Sequence, residues 1–366
     1  MNRAAWLLAL PIALTSCSGV TPSVASGSLR VAHARALVEP SAPYVYVANS
    51  GFASGSDELP SVVVFPPNGR TPRRTFASTS TVELGDVIAL DARGALFVPQ
   101  GPAGAATTPY SINVFAPGSK RLQRNITYGA ELVNSMAFDH RGNLYVAYQR
   151  LNNYVIEYAR KKSAVREIST GASVPGRLAV DSKDNLYVQT DNALLVFAPG
   201  SSTLPLRIIK HLPKAAKIGT YTIDRSNNVY VSYYFGNGSQ GVVDVYASGS
   251  THPAREISGL NPCQLATDTA RRLYSLQCRA DLPQSISIFA PGSSTAERTI
   301  TSGLVHPSSI AVDPSGYLYV TNYGPYNNKN NYVDSSVTVY APGQSAPLRT
   351  IERDLAQPVQ IVFGSQ

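Results

Sequence analysis

Glu83 and Asp86 stand eight and five residues ahead of Asp91, and Glu131 and Asn134 repeat that spacing ahead of Asp139. Three carboxylates and a carboxamide are hard oxygen donors, the kind that hold Ca2+ or another divalent cation. Such an ion would polarise an ester or lactone carbonyl, so these four residues open one reading of the chain, a cation-dependent hydrolase or lyase. His211 and His306 could add proton transfer, although no paired-histidine motif accompanies them.

A second chemistry is recognition. Two segments are rich in Tyr, Asn and Gly: Ser232-Tyr233-Tyr234-Phe235-Gly236-Asn237, and Asn322-Tyr323-Gly324-Pro325-Tyr326-Asn327-Asn328. Tyr and Phe offer flat apolar faces, while Tyr and Asn add adaptable hydrogen bonding. Tyr233, Tyr234, Phe235, Asn237, Tyr323, Tyr326 and Asn327, extended by Tyr148, suit a glycan, a cell-wall polymer or a protein partner. The alternative is a set of soluble turns with incidental aromatics.

The frame for both groups is a repeat with a period of about 45 residues. Its first strand ends in Asp91, Asp139, Asp181, Asp224, Asp268 and Asp313. Its second carries Tyr46, Phe97, Tyr145, Tyr187, Tyr230, Tyr274 and Tyr319, and its third ends in Phe65, Phe115, Tyr158, Phe197, Tyr246, Phe289 and Tyr340. The fourth carries Arg74, Arg124, Arg166, Arg207, Arg255, Arg298 and Arg349. Each piece is a short β-branched or aromatic run between Gly, Pro, Asp or Asn, so each unit is four strands. The first strand occurs six times and the others seven. Gln360-Ile361-Val362-Phe363 supplies the missing one from the far end of the chain, with Phe363 in the Asp position. The predicted fold is therefore all-β, a seven-bladed β-propeller whose C-terminal strand completes the first blade.

The stretches Asp-x-x-Gly-x-Leu-Tyr-Val at 139–146 and 313–320, with the Val-x-Val-Phe/Tyr-Ala-Pro-Gly stretches, resemble the NHL-repeat group and its SMP-30-like and virginiamycin B lyase-like relatives. The resemblance runs from Tyr44 to Phe363. SMP-30-like lactonases hold a cation through Glu, Asn and Asp near the channel. The resemblance implies a comparable place for Glu83, Asp86, Glu131 and Asn134, although the full ligand set does not map onto this chain. The only Trp, Trp6, lies outside the repeats, which excludes WD-repeat and quinone-dehydrogenase propellers.

Residues repeated in every blade read first as scaffold. The Asp is expected to cap the following turn through its backbone N–H groups. The aromatics are expected to pack between blades. The outermost-strand arginines are expected to discourage edge-to-edge pairing. They also account for the charge: without Arg3 the chain has 30 basic and 23 acidic residues, an excess of seven spread around the rim. Nucleic-acid binding needs basic residues on one face and is rejected. In a propeller the second-to-third loops share a face with the fourth-to-first connections. Here the loops at 49–61, 99–110, 232–241 and 321–335 are long, which makes that face the expected binding surface.

The address comes from the first residues. Arg3 precedes an apolar run at 4–14 that is too short to cross a bilayer and fits a signal peptide. Leu14-Thr15-Ser16-Cys17 resembles the bacterial lipobox, which implies cleavage before Cys17 and lipidation of its thiol. An ordinary secretory signal is the alternative. Residues 1–16 are then the signal peptide, 17–42 a lipidated flexible tether, and 43–366 the propeller. Ser18 in place of Asp implies outer-membrane sorting in a double-membraned bacterium.

Export permits a disulfide between the two remaining cysteines, Cys263 and Cys278. If Asp268 faces Leu273 across the hairpin of blade six, Cys263 faces Cys278; two free thiols are the alternative. The sequence thus reads as an exported, lipid-anchored, monomeric propeller that binds a protein or glycan without a cofactor. The cation-dependent enzyme remains the alternative, and the ligand is unspecified.

Overall fold

The computed structural model describes residues 42–51, 59–79, 82–85, 87–102, 110–127, 132–148, 154–160, 164–171, 173–210, 216–235, 241–277, 283–327 and 332–365. By its contacts the chain divides into Met1–Glu39 and Pro40–Gln366, and only the second unit is described below. The signal and lipidation residues, Cys17 included, lie outside the described residues.

Runs of Val, Ile, Leu, Tyr and Phe between Asp, Gly and Pro turns form short strands, gathered into seven antiparallel sheets in a ring. Five blades take four strands each in chain order. In the second, Val82–Leu84 and Ala89–Leu90 share the innermost position against Leu96–Pro102. The first blade joins Tyr44–Asn49, Ser61–Phe65 and Arg74–Ala77 to Pro358–Gly364, and Phe363 pairs with Val45. This is the ring closure that the missing first strand implied. Among the described residues no helix is long and apolar enough to cross a membrane.

The apolar residues do not make one central core. They form seven clusters, each between two consecutive blades. Strand alternation explains this, since successive side chains face opposite neighbours. In blade five, Val229, Val231 and Tyr233 pack against blade four, while Tyr230 packs with Leu265 and Leu273 of blade six.

The repeated Asp caps its turn as expected. Asp139 Oδ1 accepts from Asn143 N at 2.8 Å. Its Oδ2 accepts from Asn143 Nδ2 at 2.8 Å and from the Tyr145 hydroxyl at 3.4 Å, which ties the first strand to the second. Asp181, Asp224 and Asp268 repeat the arrangement, with Arg272 Nε in the amide's place at Asp268. Phe363, at the equivalent position, has its ring 5.0 Å from that of Tyr319 instead.

The repeated arginines differ from expectation. Six of the seven reach the next blade at its turn after the third strand instead of projecting as edge guards. Arg74 Nη1 donates to Gly118 O at 2.5 Å, Arg255 Nη1 to Ser293 O, and Arg349 Nη1 to Asn68 Oδ1 at 2.9 Å. In blades three, four and six, Nη1 of Arg166, Arg207 and Arg298 lies 3.7, 3.7 and 3.8 Å from where a Cβ on Gly200, Gly249 and Gly343 would stand. An exposed fourth strand leaves the guanidinium long enough to reach sideways, and the neighbouring turn supplies carbonyl acceptors there.

Side chains also link the innermost strands. Gln360 Oε1 accepts from Ile88 N at 2.7 Å, Ser135 Oγ accepts from Leu178 N at 2.9 Å, and Gln264 Oε1 accepts from Ile310 N. Thr267 Oγ1 donates to Ile223 O at 3.1 Å. Each bond crosses from one blade to the next and satisfies an edge that has no further strand to pair with.

Candidate functional site

Two places on the loop face gather polar or aromatic side chains. The first is the mouth of the central channel, a cavity of about 510 Å3 where the innermost strands begin. Asn134, Ser135, Arg177, Gln264 and Gln360 line it, with Val87 and Val359 as its apolar part. Arg177 Nη1 donates to Thr220 Oγ1 of blade five at 2.6 Å, and burial pulls its guanidinium pKa down, opposed in part by Tyr221. No carboxylate pairs with it among the described residues.

Of the anticipated cation quartet, Asn134 alone has its side chain among the described residues. Asn134 lines the cavity and donates from Nδ2 to Pro175 O at 3.1 Å. Glu83 pairs with Gly101 in the second blade. The Glu83 side chain, Asp86 and Glu131 lie outside the described residues, as does His211. The described lining supplies the Arg177 guanidinium, the amides of Asn134, Gln264 and Gln360, and the Ser135 hydroxyl. Arg177 escaped the sequence reading. Its signal was its place four residues before Asp181, where the other blades carry Val87, Ser135, Thr220, Gln264, Ser309 and Val359.

The second place is the hairpin of blade seven. Tyr326 and Tyr332 form a bridge, Val333 N donates to Pro325 O at 3.0 Å, and Tyr323 N donates to His306 O at 3.0 Å. Three tyrosines and a histidine gather there: Tyr332 has its ring centroid 5.2 Å from Tyr323, 5.1 Å from Tyr326 and 5.3 Å from His306. Tyr326 is 55% exposed, and Asn327 is half-buried in the same hairpin. His306 Nδ1 lies 2.9 Å from Gly324 O, and a carbonyl only accepts, so Nδ1 carries the hydrogen. The sequence reading missed Tyr332 as the centre of the group, because nothing in its spacing showed that the hairpin folds back on itself.

The rest of the anticipated patch separates. Tyr234 is 47% exposed on blade five, two blades away from the hairpin. The Phe235 side chain and Asn237 lie outside the described residues. Tyr148 and Tyr233 are buried and are not surface residues. Tyr148 shares a hydrogen bond with Tyr158 at 2.7 Å, and Tyr233 shares one with Tyr246 at 2.8 Å. The second strand of blade five runs on to Phe235, past the expected loop start at Ser232, so alternation turns Tyr233 inward. Burial raises the Tyr233 hydroxyl pKa to about 12.

Cys263 is exposed at the start of blade six, where Pro262 pairs with Gln277 and Gln264 with Leu276. It therefore occupies a bulge, and the hairpin register is shifted from the one assumed: Thr267, not Asp268, faces Leu273. Cys278 lies outside the described residues.

No protein-family model matches the chain, and no curated protein matches it. Solved structures do resemble it. Kuenenia stuttgartiensis hydrazine synthase is similar at a TM-score of 0.53 and 14% identity, over 69% of this chain and 75% of that one. The β-propeller domain of Myceliophteria thermophila Cps50 (Swd1) is similar at 0.54 and 11% identity, over 74% and 89%. At such identities the likeness is one of fold alone.

Proposed function

We propose that this β-propeller is a recognition module of the bacterial cell envelope, exported and held to the membrane by lipid on Cys17. Its blade-seven hairpin contacts a protein or glycan partner. The observation that carries this reading is the cluster of Tyr323, Tyr326, Tyr332 and His306, with Tyr326 more than half exposed. Rings held against one another lose little freedom when a partner settles on them, and their hydroxyls serve a polar rim. The repeat motifs support kinship with NHL-repeat propellers. No observation on the described residues favours the cation-dependent enzyme.

The test is co-sedimentation of the full chain with purified peptidoglycan and with isolated envelope proteins, wild type against the Tyr326→Ala/Tyr332→Ala double variant. Binding that falls at least about fivefold in a variant with a native circular dichroism spectrum supports the reading, since aromatic anchors dominate such interfaces. Undiminished binding overturns the hairpin as the contact. A Cys17→Ala variant that stays in the membrane fraction would overturn the anchor separately.

A further inference from the structure

Among the described residues the half-buried Arg177 has no counter-charge. A cation that gives up part of its hydration is ordinarily compensated by a partner. The recorded side-chain bond of this guanidinium goes to a neutral hydroxyl, that of Thr220. Among the described residues that line the cavity at the channel mouth none is acidic. Planar guanidinium carries five N–H donors in a fork that matches a carboxylate, so most of its capacity is left for a ligand.

The other polar groups point the same way. Gln264 and Gln360 both line this cavity, and each has its Oε1 committed to a backbone N–H of the next blade. A backbone N–H can only donate, so the amide orientation is determined and both NH2 groups remain as donors. The described lining is therefore rich in donors, carries one positive charge, and has Val87 and Val359 as its apolar wall. One guanidinium balances a single negative charge. A dianion such as phosphate would keep an unbalanced charge among neutral amides. The volume of about 510 Å3 suits a small molecule.

We infer that the channel mouth binds a small hydroxylated monocarboxylate, with its carboxylate on Arg177 and its hydroxyls on the amides of Gln264 and Gln360. The site is separate from the blade-seven hairpin and does not depend on the function proposed for it.

The experiment is calorimetric titration of the full chain with D-glucuronate, acetate, neutral D-glucose and inorganic phosphate. It is repeated on Arg177→Gln and Arg177→Lys. Expected are saturable binding of glucuronate, weaker binding of acetate, none of glucose, and phosphate weaker than glucuronate. Arg177→Gln should weaken glucuronate by at least about tenfold, with Arg177→Lys between the two because it keeps charge but loses the fork. Because Arg177 also bonds Thr220, either variant could lose its fold. The comparison of glucuronate with glucose on the wild type then decides. Glucuronate and acetate binding no better than glucose, or phosphate binding better than glucuronate, overturns the inference. So does unchanged glucuronate binding in a folded Arg177→Gln variant.

Discussion

Arg349 Nη1 donates to Asn68 Oδ1 at 2.9 Å across 281 positions of sequence, joining the outer edge of the last blade to the first. The same arginine position clasps the following blade elsewhere in the ring. At the seam it works beside the Pro358–Gly364 strand, which does the corresponding job on the inside.

Removing this clasp should be felt as stability. Arg349→Ala is expected to lower the urea midpoint by an amount equivalent to about 0.5–1.5 kcal/mol, the net worth of a hydrogen bond to an exposed acceptor. Arg349→Lys should recover part of the loss, because a point charge reaches one acceptor without the fork. If the arginines only guarded edges, Arg349→Ala would leave the midpoint in place and raise aggregation instead.

Two tyrosines from one anticipated patch should behave oppositely. Tyr233 is 1% exposed in the cluster between blades four and five, so Tyr233→Ala is expected to cost about 3–5 kcal/mol. Tyr233→Phe removes only the bond to Tyr246 and should cost about 1 kcal/mol. Tyr326 is 55% exposed, and Tyr326→Ala should stay within about 0.5 kcal/mol of wild type. Chemical denaturation of the three variants checks the order.

Asp184 should make stability depend on acid. Burial pushes its carboxyl pKa up, but the backbone and ring N–H groups of His140, with the charges of His140 and Arg141, outweigh that and hold it below the ordinary value. A depressed carboxylate contributes stability above its unfolded pKa and loses it as pH falls through the folded one. Asp184→Asn should therefore be less stable than wild type near neutrality, and the difference should close in strong acid. Asp313 runs the other way. Burial raises its pKa despite backbone N–H bonds from the turn, so its contribution is present in acid and lost as pH rises through the folded pKa. Denaturation midpoints across the acid range should show Asp184→Asn and Asp313→Asn diverging from wild type with opposite slopes.

The cysteines of blade six give a fourth prediction. If the chain is exported as proposed, Cys263 and Cys278 are expected to be joined, so titration of the unfolded, unreduced chain should find neither as a free thiol. Closing a loop of this size is worth about 3 kcal/mol, and Cys263→Ser should cost that much in oxidising buffer and far less after reduction. Two reactive thiols would rule the bond out.

Much of this was readable because the repeat fixes a contact as well as a residue. Each Asp meets the same turn and each second-strand aromatic the same interface, so counting them yields the blades, and Phe363 in the Asp position identifies the closing strand. Reading failed where a residue's meaning depends on its neighbour's position. Tyr233 looked like a loop residue because a strand's end is set by pairing with Gly241–Tyr246, which local composition does not encode. The bulge at Cys263 moved a register that hairpin counting had assumed regular. The arginines were assigned to the right strand, but their reach into the adjacent blade is a sideways contact that a strand-by-strand reading cannot supply. Arg177 is legible in hindsight, as a charged residue at a repeat position otherwise held by neutral ones.

The closing strand also bears on how the protein is made. Tyr44–Asn49 is synthesised first, yet its inner partner is Pro358–Gly364, and Ser50 bonds to Gln357 some 307 residues later. A chain emerging from the ribosome therefore carries a first blade that lacks its innermost strand until Pro358–Gly364 has been made. Blades two to seven can form in order as they appear, but the ring itself can close only once Pro358–Gly364 is available. The step that locks the structure therefore waits for the described strand that lies farthest in sequence from the first.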